Sequence, residues 1–290
     1  MPSGAEALEA QRYGKRARGS YSGESLSFCY QIMRHAFLLP VAGLLAAAFA
    51  FTGAPRTAPP PGTIRINDTL FMDKHEVPNM SWREFEFWSY RNNGADTGIL
   101  PDTARFGDLG LDISGALTRQ YYRKPSFNDF PMVGISHAQA EAFCRWRSAR
   151  VNELIASGKA PKDWKFKKVQ YRLPTEAEWE LAAAGGLDKS KYPYGFRNLL
   201  DPKKGIMVWA LYPARRPGDR PLMTATNNRY PNGYGLYHMC GNVAEMIAEP
   251  GIAKGGHFNL PVDSCKLESR LPYDRAEAWL GFRCVATVTY

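Results

Sequence analysis

Residues 171–186 read YRLPTEAEWELAAAGG and leave the backbone little choice. Thr175 precedes Glu178 by three residues, the spacing at which hydroxyl and carboxylate satisfy exposed amides at a helix start. Pro174 stops the preceding extended segment, and Gly185-Gly186 supplies a left-handed exit. Ala177, Leu181 and Ala184 with Trp179 predict a short buried helix, clamped at both ends. The stretch places a core element but names no chemistry.

Two more capping patterns follow the same logic. Ser81-x-x-Glu84 predicts a helix to about Arg91, with Trp82, Phe85 and Tyr90 turned inward. Ser136-x-x-Gln139 predicts a longer helix to about Ala156. Ala140, Cys144, Ser148, Val151 and Ile155 form its apolar stripe, widened by Phe143 and Leu154. Ile64, Ile66 and Leu70-Phe71 predict strands, while residues 92–130 and 195–228 read as irregular. With 26 glycines and 21 prolines, a loop-rich fold is expected rather than a helical bundle. The net charge of +9 is scattered, densest at Lys165, Lys167 and Lys168. No nucleic-acid-reading motif accompanies it, so no nucleic-acid partner is expected.

The N-terminal part divides by composition. Residues 1–35 are a polar leader read as disordered, and Met33 offers an alternative start. Residues 36–54 (AFLLPVAGLLAAAFAFTGA) carry no charge and follow Arg34-His35, the layout of a signal peptide or N-terminal membrane anchor. Ala48-Phe49-Ala50 offers a cleavage site. Uncleaved, the run would span roughly 28 Å as a helix, enough for a bilayer core. Residues 55–62 (PRTAPPPG) read as a stiff linker, leaving 63–290 as the folded domain. The expectation is an exported chain, periplasmic or anchored facing the periplasm. No cysteine follows the apolar run to take a lipid, and Cys29 lies before it.

The motifs in order point further. R-L-P-T-E-A-E-W-E-x-A-A-x-G-G is followed by Tyr192-Pro193-Tyr194-Gly195, then by Asn232-Gly233-Tyr234-Gly235-Leu236-Tyr237 running into Gly241-Asn242-Val243-Ala244-Glu245. Gly255-Gly256 and Gly281-Phe282-Arg283 close the series. This series resembles the formylglycine-generating enzyme, or sulfatase-modifying factor, family over roughly residues 63–288. The resemblance implies an α+β fold, irregular and C-type-lectin-like, with short strands and a few capped helices. The Phe143-Cys144-x-Trp146-Arg147 helix resembles the branch found in bacterial gliding-motility and type IX secretion lipoproteins.

What the family does chemically depends on sulfur. Its active members hold copper(I) between two thiolates, the donors a soft d10 ion prefers, and oxidise a substrate cysteine to formylglycine. The family's serine falls at His257, its first cysteine at Leu260 and its second at Cys265. By that count one thiolate, Cys265, remains, and copper is not expected. Ala244 and Met246 stand where the family has the two tryptophans of W-E-W. The five histidines, His35, His75, His137, His238 and His257, lack the H-x-x-x-E-x-H spacing of an iron-dependent branch, and His257 reads as a lone exposed side chain.

The resemblance also implies calcium held by the Gly241 and Val243 carbonyls and the Glu245 carboxylate, though His238 replaces the family's Asp or Asn. Spacing permits three pairings among Cys144, Cys240, Cys265 and Cys284. The resemblance selects a Cys144–Cys284 disulfide, closing a loop with 139 intervening residues. The functional expectation is a non-catalytic, exported domain that binds other envelope proteins. A copper-dependent formylglycine-generating oxidase is the alternative.

Overall fold

The computed structural model describes residues 58–94, 97–108, 115–198 and 223–290, all within one unit spanning Gly53–Tyr290. The leader, the apolar run 36–54 and most of the 195–228 segment lie outside the described residues. Among the described residues, no helix is long and apolar enough to cross a membrane.

Two small sheets carry the domain. In the first, β1 (Thr63–Arg65), β2 (Phe71–Asp73), β8 (Val285–Thr289) and β3 (Lys168–Arg172) pair antiparallel in that spatial order. In the second, β6 (Leu271–Pro272), β5 (Ile252–Lys254), β4 (Ala244–Met246) and β7 (Leu280–Gly281) lie side by side, with β4 and β7 parallel. The helices are α1 (Asn79–Asn93), α2 (Arg105–Asp108), α3 (Ala116–Gln120), α4 (His137–Ala156) and α5 (Glu176–Ala184). Mixed helix and sheet with very short strands is the α+β organisation expected.

Two of the three capping predictions hold in detail. At α4, Gln139 N–H donates to Ser136 Oγ while Ser136 N–H donates to the Gln139 side chain. At α5, Thr175 and Glu178 make the same reciprocal pair. Gly185 then leaves the helix at φ 59°. Asn232 closes the α5 C-terminus from outside, its amide donating to the Ala182 and Ala183 carbonyls at 2.8 and 3.2 Å.

Four local expectations fail. Helix α1 starts at Asn79, before the Ser81-x-x-Glu84 pattern, and no side chain caps it. The Asn79 amide instead reaches the Tyr121 and Phe127 carbonyls, so contacts from beyond the helix set its start. Tyr90 is 65% exposed, whereas Trp82 and Phe85 are buried. On α5 the inward face is Trp179, Ala182 and Ala183, leaving Ala177 and Leu181 exposed. The segment read as irregular also contains α2, α3 and the buried pair Tyr121 and Tyr122.

The core forms where α1 and α4 meet the sheets. Trp82 stacks on Phe143 at 5.7 Å, and both meet Phe282 edge-on. Strand β3 lies at a sheet edge, where unpaired backbone would invite another chain. Helix α4 covers that edge: Val169 N–H donates to Asn152 Oδ1, Asn152 Nδ2 donates to Val169 O, and Tyr171 N–H donates to Ser148 Oγ. On the second sheet, the buried Lys254 ammonium pairs with Glu176 and Glu180 of α5 at 3.0 and 2.8 Å.

Candidate functional site

The motif residues converge on one buried strut. Glu245 of β4 and Arg283 lie wholly out of solvent. Arg283 donates from Nε and Nη2 to the two Glu245 oxygens at 2.7 and 2.6 Å. Trp179 Nε1 donates to the same carboxylate at 2.8 Å. The guanidinium further donates to the Asp73 and Tyr237 carbonyls. Burying a charge pair is tolerable only when hydrogen bonds of this kind satisfy what the pair leaves over. The strut therefore joins α5, β4 and the G-F-R turn.

That geometry bears on calcium. Both Glu245 oxygens are committed to Arg283 and Trp179, so the carboxylate a calcium ion would need is already taken. His238 brings imidazole where a hard oxygen is wanted; its Nε2 lies 3.2 Å from the Ala225 carbonyl. The donors do not fit the ion, and Gly241, Val243 and Glu245 serve here as a structural turn and strand.

Beside the strut, residues 238–242 make a tight turn. His238, Gly241 and Asn242 all take positive φ, at 54°, 84° and 59°, a region His and Asn tolerate better than most side chains. Gly241 N–H donates to the Gly255 carbonyl at 2.8 Å, and Phe258 N–H to that of Asn242 at 2.9 Å. These bonds lock the turn to the Gly255-Gly256 loop. The turn aims Cys240 inward, where its Sγ lies 3.1 Å from the Cys265 carbonyl oxygen. Cys240 and Cys265 are buried together in a cluster of their own, flanked by Tyr194, Phe196 and Val262. Gly256, at φ 66°, permits the approach, because a Cβ there would sit 2.5 Å from Cys265 Sγ.

The count of one sulfur is therefore overturned. Leu260 does occupy the first-cysteine position, half-exposed in the His257–Leu260 turn, but Cys240 brings a second sulfur from 25 residues upstream. The neighbouring Cys240 sulfhydryl holds the Cys265 thiol below its ordinary range despite burial. Burial, and then the same pairing, push Cys240 well up. The pair is thus asymmetric, the two thiols being shifted in opposite directions. Two adjacent sulfurs suit a soft ion, so the donors present fit copper(I) better than the sequence count allowed. Sequence reasoning missed Cys240 because it stands at the position the family motif leaves variable; its place beside Gly241 was the only signal.

The remaining candidates fall elsewhere. His257 is buried, not exposed, stacked on Trp279 at 4.8 Å and accepting from Asn259 N–H through Nδ1. Cys144 on α4 and Cys284 before β8 bring their sulfurs to 3.4 Å, beneath the aromatic core and apart from the Cys240 cluster. Among the described residues, no group of three His, Cys, Asp or Glu is placed to share a metal.

One buried acid gives the domain a pH signature. Glu76 is fully buried, accepts from Asn242 Nδ2 through Oε1 and has no partner for Oε2. Burial raises its pKa from 4.5 to about 8. The folded chain keeps this proton where the unfolded chain has lost it, so Glu76 lowers stability as pH rises between those values. His75, His238 and His257 act in the opposite direction. Burial lowers them from 6.5 to about 4, 3 and 4, so they remove stability as pH falls below 6.5. The two slopes oppose each other and balance at about pH 7. The Glu76 part alone declines by about 1.5 kcal/mol between pH 6.5 and 8, at about 1.4 kcal/mol per unit, and the histidines partly offset it. Glu76→Gln should flatten that decline in urea midpoints measured from pH 6.5 to 8.5; an unchanged slope would show that Glu76 is not its source.

Fold and site together define an α+β domain in which a glycine-hinged loop holds buried sulfur beside a Glu–Arg strut. Residues 41–288 match the family model of the sulfatase-modifying factor enzyme 1-like domain. The chain belongs to the sulfatase-modifying factor, or formylglycine-generating enzyme, family. A formylglycine-generating enzyme of Thermomonospora curvata is 48% identical over 222 residues, covering 66% of this chain and 62% of that enzyme. An inactive C-alpha-formylglycine-generating enzyme 2 of Bos taurus is 35% identical over 123 residues, 41% of this chain and 33% of that protein. The chain thus spans less than two thirds of either relative's length. The crystal structure of CarF superposes with a TM-score of 0.51 at 22% identity, over 78% of this chain and 92% of its own, which shows a shared fold alone.

Proposed function

We propose that this chain is an exported, non-catalytic member of the family, acting as a protein-binding or structural component of the cell envelope. The observation that carries the reading is Leu260 at the first-cysteine position, together with sulfurs that solvent does not reach: Cys265 is 4% exposed and Cys240 fully buried. A substrate thiol must touch the metal centre to be oxidised there. An alkyl group at 260 and a buried His257 at the family's serine position also remove polar groups at the loop surface. The charge-free run 36–54 with its Ala48-Phe49-Ala50 site supports export to the periplasm, with anchoring if it is not cleaved. The helix motif around Cys144 and Trp146 supports a place among gliding-motility or type IX secretion components, with envelope proteins as partners.

Incubating the purified chain with copper(I), oxygen and a C-x-P-x-R peptide should leave the peptide mass unchanged. Conversion of the cysteine to aldehyde would overturn this reading in favour of the second one, a working oxidase. That second reading is kept because Cys240 stands beside Cys265. If the peptide is unchanged, crosslinking in envelope fractions should trap protein partners; a chain that crosslinks to none would contradict the binding role.

A further inference from the structure

Three buried polar atoms without a partner among the described residues belong to one cleft. They are Asp73 Oδ1, Glu76 Oε2 and Trp146 Nε1. Their residues line a space of about 370 Å³ where the end of β2 and the start of α1 face α4. Asp73 is 5% exposed and Glu76 fully buried. Asp73 Oδ1 lies 3.7 Å from where a Cβ on Gly62 would stand, and Gly62 itself lines the cleft. Val77, Phe143 and Val151 give it an apolar wall. A mostly apolar cleft of about 300–1,000 Å³ with a few converging polar groups is the usual form of a small-molecule site. The groove beside α5 is also acidic, but its Glu176 and Glu180 are already paired with Lys254, Arg270 and Lys189.

We infer that the Asp73–Glu76–Trp146 cleft binds a small aliphatic primary ammonium ion that also carries a hydrogen-bond acceptor. Two free carboxylate oxygens and one free indole N–H ask for exactly those complements: donors on a cation, and one acceptor. Anions are repelled by the acids, and among the described residues no group of three His, Cys, Asp or Glu is placed to share a metal. A guanidinium prefers both oxygens of one carboxylate. Here each acid offers only one. Asp73 Oδ2 already accepts from Arg147 at 2.8 Å and from Cys284 N–H at 2.9 Å, and Glu76 Oε1 accepts from Asn242 at 2.9 Å. An ammonium carries three donors on one nitrogen and can serve single oxygens of two residues. Burial keeps the Glu76 proton in place to about pH 8, with Arg283, Glu245, Tyr121 and the adjoining His75 as its charged and titratable surroundings. An ammonium at Oε2 favours the ionised acid, so binding sends that proton to solvent. The apolar wall takes the aliphatic stem, and the volume limits the ligand to about the size of one amino-acid derivative.

The test titrates leucinamide into the full chain by calorimetry at pH 6.5, beside 4-methylpentanamide, the same molecule without its amine. Leucinamide should bind at one saturable site, with a heat that depends on the buffer because a proton is released. The amine-free amide should bind at least about tenfold more weakly, the worth of a hydrogen bond to a charged group. Glu76→Gln should weaken leucinamide by about the same factor. Trp146→Phe keeps the ring packing on Phe85 and Phe143 and deletes only a donor that lacks a protein partner, so it should fold normally and still bind about fivefold more weakly. The indole N–H resonance missing from the Trp146→Phe spectrum should move in the native chain when leucinamide is added. No saturable binding, equal affinity for the two amides, or undiminished binding by Trp146→Phe would each overturn the site, leaving a cleft that holds water alone. Peptide turnover is read separately, so failure here leaves the reading of function standing, and the reverse also holds.

Discussion

Replacing Arg283 by Met should lower stability by about 3–5 kcal/mol, the cost of leaving a buried carboxylate without its partner. Arg283 and Glu245 are both fully buried, and the guanidinium makes two bonds to the carboxylate and two more to backbone carbonyls. Urea unfolding of native chain, Arg283→Met, Glu245→Gln and the double variant makes the measurement. The double variant should be less destabilised than the sum of the two singles, because removing both charges also removes the unpaired one. It should not return to native stability, since the Asp73 and Tyr237 carbonyls would lose their donor. A loss below about 1 kcal/mol for Arg283→Met would mean that water reaches the strut and that it behaves as a surface pair.

The second large effect concerns Cys144 and Cys284. In protein recovered from an oxidising compartment, peptide mapping without reductant should find these two cysteines joined. Their bridge would tie α4 to the approach of β8 across 139 intervening residues. The chain-entropy account puts the loss on reduction at about 4–5 kcal/mol, though native strain can reduce it. Stability measured with and without reductant gives the number, and Cys144→Ala with Cys284→Ala should match the reduced chain. Recovery of both residues as free thiols, or identical midpoints with and without reductant, would refute the bridge.

Much of this architecture was written locally in the chain. Ser136 with Gln139 and Thr175 with Glu178 set helix starts through bonds between residues three apart, so the sequence displays them directly. The Gly185 exit is equally local. What the sequence concealed is what distance in the chain conceals. The start of α1 is set by Asn79 reaching residues 42 and 48 positions away. Strands of two or three residues carry no readable alternation. The site was half legible for the same reason. Motif spacing located Cys265 and the empty position at Leu260, whereas Cys240 becomes its neighbour only after two loops have been stitched together. Glu245 was recognisable as a motif carboxylate, but its commitment to Arg283 depends on a contact spanning 38 residues.

The position of β8 has a consequence for how the domain comes into being. It sits between β2 and β3, touching residues 71–72 on one side and 168–172 on the other. A ribosome making this chain therefore releases more than two hundred residues whose first sheet has a gap at its centre. Contacts of such long range close late and slowly. Until β8 is made, β2 and β3 each present an unpaired edge to the same missing strand, and that one strand completes the sheet.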